Sequence, residues 1–468
     1  SHTVWFGQTL LEVDLSQVAT PANVYSALAA AETNPDGWVI ASGFRPSALE
    51  APVTIAELDR ATHGQPLLIK HNSGHAYTVN TAALRAAGID PTNPPEIEGG
   101  EFVRDEDGNC TGLVDENAMR AIQNVTLPES GEEIARALEL ATRNYLERGL
   151  TSVTDAGVAG GWIGHSPREI AAYQKATLHT RMQIMVTMDV LHEIDGHESD
   201  GPGWGLDGGL RTGFGDEWLQ IGPVKMFSDG SILGTTAALT EEYACCSHHG
   251  YFQGDPGQMR ERALNAAASG WSLAIHAIGD AAVDFAIETL EEAVDKYGVP
   301  AMPHRIEHGG IVRPDQIERL RGKPIVVVPQ PLFIKTFGDA MADALGPERA
   351  AWSYPGKRLL DSGLILPGSS DQPVAPGVPL DVMQAAIERR TETGRDYGPA
   401  DRLTPEEALY AYTAGSAAAT GWAGRKGQVI PGQLADFVLL SADPLTTDLS
   451  TISVAATIVG GELRYGRF

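Results

Sequence analysis

The sequence predicts an α/β protein: a (β/α)8 TIM-type barrel with an inserted β-rich subdomain and a small C-terminal β-sandwich portion. Across residues 131–424, short apolar segments alternate with amphipathic helical segments, which is the pattern of parallel strands joined by crossover helices. Four apolar segments end at or near a residue that can bind a metal or transfer a proton. Barrels of this kind have their active sites at the carboxyl ends of the strands. An open doubly wound sheet is the structural alternative.

The first 130 residues divide into two parts. Residues 1–36 would begin the barrel, with Ser1 at the end of a strand and a helix at 21–31 capped by Thr20. Residues 37–130 lack the regular alternation and combine short strand candidates with turns that contain glycine. We therefore predict an insertion or lid there, with strands near 38–41, 66–70 and 112–114 and a helix at 81–87.

Residues 131–424 contain the rest of the predicted barrel. The strands are expected at 150–155, 182–188, 219–227, 272–276, 306–308, 324–330 and 364–371. The helices are expected at 131–148, 167–176, 257–269, 281–297 and 314–321. With the strand that ends at Ser1, the count reaches the eight strands of such a barrel.

The C-terminal part, residues 425–468, has a different pattern. It follows a helix at 404–418 that begins with a capping box from Thr404 to Glu407. Two strand-forming stretches, 427–441 and 452–465, then follow with no helical pattern between them. So few strands do not close a sandwich alone. We therefore expect partner strands from a segment before Ser1 or from another chain.

The composition argues against two classes of partner, nucleic acids and membranes. The 34 basic and 61 acidic residues give a net charge of −27, which disfavours nucleic acids and anionic membrane surfaces as partners. No apolar run reaches the roughly 18 residues that a membrane-spanning helix needs, so no membrane partner is expected.

The cysteines favour a cytoplasmic location. Cys110, Cys245 and Cys246 are too few for a disulfide framework, and the adjacent pair lacks the spacing of a zinc knuckle. His248 and His249 follow the pair in the same predicted loop, where we expect solvent exposure. Incidental metal binding by these histidines is the alternative.

Four candidate functional residues lie at the ends of strand candidates: Lys225, His276, His308 and Asp371. Burying a lysine is costly unless it has a partner or is modified. Zinc prefers imidazole and carboxylate ligands, and a catalytic zinc site keeps one position for water. Each residue also has an ordinary interpretation, as a lysine that reaches solvent, a core histidine or a capping aspartate. Their shared position favours a metal site.

Several phrases of the sequence resemble the metal-dependent amidohydrolase superfamily, in particular amidohydrolase family 3, which includes the N-substituted formamide deformylases. The phrases are His-Ala-Ile-Gly-Asp at 276–280, Arg-Ile-Glu-His-Gly at 305–309, the segment 73–84 around Ser-Gly-His, and Gly-Gln-Leu-Ala-Asp-Phe at 432–437. The resemblance covers nearly the whole chain. It implies hydrolysis of a C–N bond in an amide, N-substituted formamide or cyclic amide, by a metal-activated hydroxide. A homodimer is an expectation at the level of the family.

The resemblance also implies a set of metal ligands: His2, Lys225, His276, His308 and Asp371. They would hold one or two divalent ions, with zinc favoured, and Lys225 would carry carbon dioxide as a carbamate. Asp371 would take a proton from the attacking water and deliver it to the leaving amine. The family's first strand ends in His-x-His, of which this chain has only Ser1-His2. His2 is then the second histidine of that pair, or the first, with Val4 in place of the second.

Three weaker candidates would contact the substrate or orient a ligand. His75 would polarise a substrate carbonyl from the insertion, Asp155 would orient a ligand histidine or bind substrate, and Gln330 would line the pocket. Asp229 would hold the loop after Lys225. An apolar substrate wall is expected from the aromatic residues Trp5, Phe6, Phe227, Tyr251 and Phe333.

Two functions other than amide hydrolysis are left open by the sequence. The same site would support hydrolysis of an ester or a carbamate. Alternatively, the barrel has lost catalysis and serves as a binding protein, which the incomplete His-x-His would favour.

Overall fold

The computed structural model describes residues 1–46, 49–71, 76–97, 100–115, 118–127, 129–160, 164, 166–201 and 203–467. The chain divides into two compact units. The larger consists of Ser1–Thr3 with Ala141–Phe468, and the smaller is Val4–Leu140. In the part of the chain that is described, no helix is both long and apolar enough to cross a membrane.

The larger unit is built on parallel strands whose spatial order follows their order in the chain. One sheet contains, in order of pairing, Ser152–Val158, Arg181–Val186 and Leu219–Ile221. A second contains Val224–Phe227, Leu273–Ala277, His304–His308 and Ile325–Val328. A parallel bridge between Thr187 and Lys225 connects the two sheets. The predicted parallel α/β arrangement is therefore confirmed for these strands.

Helices alternate with the strands over the same part of the chain. The helices after residue 130 are Gly131–Glu147, Glu169–Lys175, Pro256–Ala268, Asp280–Tyr297, Pro314–Leu320, Leu332–Leu345, Pro347–Trp352, Gly356–Asp361, Pro379–Glu388, Pro405–Tyr410 and Ser416–Ala419. A π-helical turn, Ala411–Gly415, joins the last two. The capping box is confirmed, because Thr404 Oγ1 accepts from Glu407 N–H while the Glu407 carboxylate accepts from Thr404 N–H.

The strand predicted at 364–371 is wrong. These residues are all described, and they form an extended segment without strand pairing. Pro367 has no N–H to donate, and the N–H of Gly368 bonds to Ala411 O, at 2.8 Å, outside the sheet. The apolar run Leu364–Leu366 predicted burial correctly for Leu364 and Leu366, but burial alone does not specify pairing. Closure of the barrel stays a prediction.

The C-terminal strands form a three-stranded antiparallel sheet: Phe437–Leu440, Val454–Val459 and Glu462–Gly466. Arg181, on the parallel strand Arg181–Val186, is 3% exposed and makes two hydrogen bonds to the Asp436 carboxylate, at 2.8 and 3.0 Å. Its guanidinium also lies 4.7 Å from the ring centroid of Trp218. Phe437, Val438 and Leu439 on the edge strand are exposed, whereas Ala456, Ile458 and Val459 on the central strand are buried, and the sandwich stays a prediction.

The smaller unit contains the β-rich region together with residues 4–36. Its mixed sheet contains, in order of pairing, Val13–Asp14, Val39–Phe44, Leu67–His71, Ala76–Val79, Cys110–Asp115 and Phe102–Arg104. Its helices are Thr3–Thr9, Pro21–Ala29, Ile55–Ala61, Thr81–Ala86 and Met119–Thr126. Thr20 caps the second helix as predicted, accepting from Asn23 N–H. One core forms around Leu15, Phe44 and Leu58, and another around Trp38 and Ile122.

Candidate functional site

The candidate site lies at the carboxyl ends of three adjacent strands. Val224–Phe227 pairs with Leu273–Ala277, so that Phe227 lies opposite His276, and the latter strand pairs with His304–His308. The ring centroids of His276 and His308 are 4.5 Å apart. Both rings are buried, and so is Lys225, which is 2% exposed. Parallel pairing therefore brings together three residues that are far apart in the sequence.

The hydrogen bonds of His308 determine which of its nitrogens carries the proton. Gln330 Nε2 donates to Val328 O at 2.6 Å, which turns the amide oxygen toward His308. That oxygen lies 2.7 Å from His308 Nδ1 and can only accept, so Nδ1 carries the proton. His308 Nε2 thus keeps a lone pair, as a metal ligand requires.

His276 has the opposite arrangement. Its Nε2 lies 3.0 Å from Gly230 O, and a carbonyl oxygen only accepts, so Nε2 carries the proton and Nδ1 keeps the lone pair. Burial, followed by the neighbouring His308 and Lys225, lowers the pKa of His276 well below its ordinary value. Burial also lowers the pKa of His308. Both imidazoles are therefore neutral and able to coordinate a metal.

Lys225 is a buried amine with no hydrogen bond or ion pair to any described residue. Its Nζ lies 4.6 Å from the ring centroid of Phe227. Burial lowers the pKa of Lys225, although attraction to the carboxylates of Glu307 and Asp371 opposes the shift. The lowered pKa increases the fraction of free amine, which is the nucleophilic form.

Asp371 pairs with His2. His2 Nε2 lies 3.1 Å from Asp371 Oδ1, and the backbone N–H of His2 donates to Gln372 O at 2.7 Å. Burial alone would raise the pKa of Asp371, but His2, with His308, holds it well below the usual range. Asp371 is therefore an ionised acceptor in this arrangement.

The backbone is strained at two of these residues. His308 has φ of 73° and Asp371 has φ of 57°, in the left-handed region that residues with a Cβ seldom adopt. Such conformations persist only where the surrounding structure enforces them, and they cluster at functional sites. The strained backbone therefore lies at two of the predicted metal ligands, His308 and Asp371.

Asp229 connects the loop after Lys225 to the strand that carries His276. Its carboxylate accepts from Ala238, Ile278 and Gly279 N–H at 2.8 to 3.0 Å, and Oδ1 lies 3.4 Å from His276 Nε2. Burial raises the pKa of Asp229 to about 7, against the effect of these three donors. The role predicted for Asp229 in holding this loop is confirmed, whereas its contact with His276 was not predicted.

The donor set fits a divalent metal ion. It combines two neutral imidazoles, an ionised carboxylate and a buried amine, and the charges of Lys225 and Asp371 act on each other and on both histidines. Among the described residues, no three His, Cys, Asp or Glu side chains already surround a common point. The donors lie instead as two pairs, His276 with His308 and His2 with Asp371.

The weaker candidates differ in their surroundings. Asp155 lies inside the strand Ser152–Val158, and Oδ2 accepts from Thr3 N–H at 2.8 Å and from the Tyr173 hydroxyl. Gln330 lines a cavity and orients His308. His75 lies outside the described residues. The catalytic and binding roles assigned to these three residues stay predictions.

Aromatic side chains and a cavity adjoin the site. Phe333 is stacked against His308, with centroids 6.3 Å apart, and Phe227 lies 5.4 Å from His276. Tyr251 is 56% exposed, while Trp5 and Phe6 belong to the smaller unit. A cavity of about 530 Å³ reaches Lys225, Glu307, His308, Gln330 and Asp371, a volume typical of small-molecule sites.

Sequence reasoning missed one buried ion pair near the site. Arg305 and Glu307 are joined at 2.6 Å and are both about as buried as the histidines. They are two apart on one strand, so they share a face. That spacing was a usable signal, because two opposite charges at alternate positions of one buried strand face the same side and are costly to bury unless they pair.

Known proteins resemble this chain along most of its length. A model of the amidohydrolase family matches residues 1–465. The Bacillus subtilis (strain 168) protein YtcJ is 29% identical over 480 residues, which cover 99% of this chain and 87% of the relative. The N-substituted formamide deformylase of Arthrobacter pascens is 28% identical, over 92% of this chain and 80% of the enzyme.

A solved structure extends the agreement to the fold. An uncharacterized metal-dependent hydrolase from Pyrococcus horikoshii OT3 superposes with a TM-score of 0.77 at 26% identity, covering 96% of this chain and 86% of that one. The resemblance that the sequence motifs indicated is confirmed. The chain therefore belongs to the amidohydrolase family.

Proposed function

We propose that this protein is a metal-dependent hydrolase that cleaves a C–N bond in a small molecule: an amide, an N-substituted formamide or a cyclic amide. One observation carries the proposal. His276 and His308, with ring centroids 4.5 Å apart, lie on the two strands that follow the strand of buried Lys225 in one parallel sheet, and Lys225, His308 and Asp371 line a cavity of about 530 Å³. Similarity to an N-substituted formamide deformylase makes formamides the first substrates to test.

His276 through Nδ1, His308 through Nε2, His2 and Asp371 would hold the metal, with zinc favoured as one or two ions. A divalent ion, when bound, supplies the positive charge that makes water acidic and polarises a carbonyl group. Gln330 fixes the ring of His308, and the carbonyl of Gly230 fixes that of His276. These contacts hold both imidazole rings in one orientation when a metal ion binds or a proton is transferred at the site.

Lys225 would complete the site as a carbamate. Its free amine adds to the carbon of CO₂, forming an N–C bond, and the nitrogen then releases one proton. The product is an anion on a long side chain, in the place of an ammonium that would repel a metal ion. The buried position and lowered pKa of Lys225 favour this reaction.

Asp371 would transfer the proton. Its carboxylate accepts a proton from the attacking water and donates it to the nitrogen of the leaving amine, which departs as a neutral group. His2, at 3.1 Å, holds the carboxylate in its ionised form before the reaction. His75 is proposed to polarise the substrate carbonyl.

The test is an assay for amine release from a panel of N-substituted formamides, linear amides and cyclic amides, with metal content measured on the same preparation. We expect turnover that depends on bound metal and is lost in Asp371→Asn. Asp443→Asn, an exposed aspartate in the C-terminal part, is the matched control. Turnover of esters or carbamates alone would replace the proposed substrate class, and metal binding without any turnover would favour a binding protein.

A further inference from the structure

A pair of adjacent cysteines lies in the loop that follows the strand of Lys225. Cys245 and Cys246 are joined as a disulfide. Cys245 is exposed, whereas Cys246 is half-buried against the hydrophobic cluster that includes Tyr243 and Leu345. The proposed hydrolysis uses neither residue. We call residues 239–250 the cysteine loop.

The cysteine loop is closed by backbone hydrogen bonds on both sides of the cysteine pair. Leu239 N–H donates to His249 O at 2.8 Å, and Tyr243 N–H donates to His248 O at 3.0 Å. Ala244 N–H donates to Ala344 O, at 2.8 Å, on the helix Leu332–Leu345. The pair thus lies at the tip of a closed loop that is also bound to a neighbouring helix.

The base of the cysteine loop adjoins the candidate site. Ala238, immediately before it, donates its N–H to Asp229, which also accepts from Ile278 and Gly279 N–H. Thr240 donates through its N–H and its hydroxyl to Asp280, at the start of the helix after His276. The base of the cysteine loop therefore shares hydrogen-bond partners with the residues that position His276.

We propose that Cys245 and Cys246 are a reversible thiol–disulfide site, with a low-molecular-weight disulfide as the oxidising co-reactant. The thiolate of exposed Cys245 attacks the co-reactant, forms a mixed disulfide and releases one thiol. The thiolate of Cys246 then attacks the Cys245 sulfur and releases the second thiol. The protein loses two electrons and two protons, and the co-reactant is reduced to two thiols.

Cys110 does not take part in this exchange. It is 5% exposed, and burial raises the pKa of its thiol, so little thiolate is available there. It lies in the smaller unit and is not bonded to another cysteine. In a reducing compartment Cys245 and Cys246 are both thiols, and under oxidising conditions they form the disulfide bond.

The test uses the full chain with Cys110→Ser, which leaves only the two adjacent cysteines. The reduced protein is treated with oxidised glutathione, and the thiol content, intact mass and hydrogen exchange of a peptide spanning residues 239–250 are measured. We expect both thiols to disappear, the monomer mass to fall by two hydrogen atoms, and exchange to slow several-fold. A phosphine reductant should reverse all three changes.

The matched control carries Cys246→Ser in the same Cys110→Ser background. This variant should keep a single glutathione adduct on Cys245. The hydrogen exchange of its 239–250 peptide should not change when oxidised glutathione is added. Stable glutathione adducts on both cysteines, or disulfide-linked dimers in place of the intrachain bond, would overturn the proposal. So would identical exchange of the loop peptide in the two redox states. None of these outcomes depends on hydrolytic activity.

Discussion

Replacing Gln330 with methionine should separate metal binding from folding. Gln330 is 2% exposed, and its amide oxygen is the acceptor for His308 Nδ1–H at 2.7 Å. Methionine has a similar volume and no oxygen, so the variant leaves a buried donor without an acceptor. The ring of His308 then loses the contact that fixes its orientation and its protonated nitrogen.

The magnitude follows from that lost contact. Leaving a buried donor unpaired costs about 1–3 kcal/mol. That cost is present with and without metal, so it lowers stability, whereas zinc affinity falls because the ring of His308 is no longer held in one orientation. Residues that hydrogen-bond to metal ligands typically contribute about 10- to 100-fold to metal affinity, and a loss of that size is expected here. Gln330→Glu still offers an oxygen to Nδ1–H but turns its second oxygen toward Val328 O, where the amide of Gln330 donates at 2.6 Å, so it should restore affinity only in part.

The assay is competition for zinc against a chelator of known affinity, with urea unfolding measured in parallel. Gln316→Met is the matched control, because Gln316 is also fully buried and donates to Asp280 O and the Asp284 carboxylate, both at 2.8 Å. Both methionine variants should lose stability, and only Gln330→Met should lose zinc. Equal zinc affinity in the two variants would refute the role given to Gln330.

Three further predictions concern the proton carrier, the lysine and a buried histidine. Asp371→Asn should lower kcat by about 10²- to 10⁴-fold with folding intact, and a pH–rate profile unchanged from that of the natural chain would contradict its role. Lys225→Ala should lose activity and regain part of it with added acetate, measured as amine release; no rescue at any acetate concentration would count against an anionic Lys225. Burial lowers the pKa of His304 from 6.5 to about 4, so between these values the unfolded chain binds a proton that the folded chain does not. As pH drops from about 6.5 to about 4, His304 should therefore contribute a fall in stability of about 3 kcal/mol, in addition to the falls due to His276 and His308. His304→Asn, whose amide oxygen can accept from Leu273 N–H as His304 Nδ1 does at 2.9 Å, should remove that fall in urea unfolding at pH 7 and pH 4.

The sequence was informative where a polar residue ended a buried apolar segment. His276 and His308 lie next to and at the last residue of their strands, as predicted, whereas Lys225 is the second residue of Val224–Phe227, opposite Ala274, and not at the strand end that the sequence predicted. The same rule failed at 364–371, because an apolar run predicts burial, whereas pairing also requires N–H groups that Pro367 lacks and Gly368 uses elsewhere.

Other features of the site depend on long-range contacts that no local pattern encodes. The protonated nitrogen of His308 is set by Gln330, 22 residues away. The left-handed backbone at His308 and Asp371 is maintained by the surrounding packing, because this conformation is uncommon for any residue with a Cβ, although Asp and His adopt it more often than most. Pattern reading could therefore identify the ligands but not their tautomers, their strain or their partners.

The ion pair between Arg181 and Asp436 limits how the chain can be shortened. A chain ending at residue 424 would lack Asp436, the bidentate partner of the Arg181 guanidinium, which is only 3% exposed on the strand Arg181–Val186. Replacing Asp436 alone, as in Asp436→Ala, leaves that guanidinium buried without its bidentate partner and should destabilise the protein by about 3–5 kcal/mol, a large fraction of the whole stability of a domain. The C-terminal sheet therefore helps to stabilise the larger unit. A chain shortened at residue 424 would be expected to unfold or precipitate.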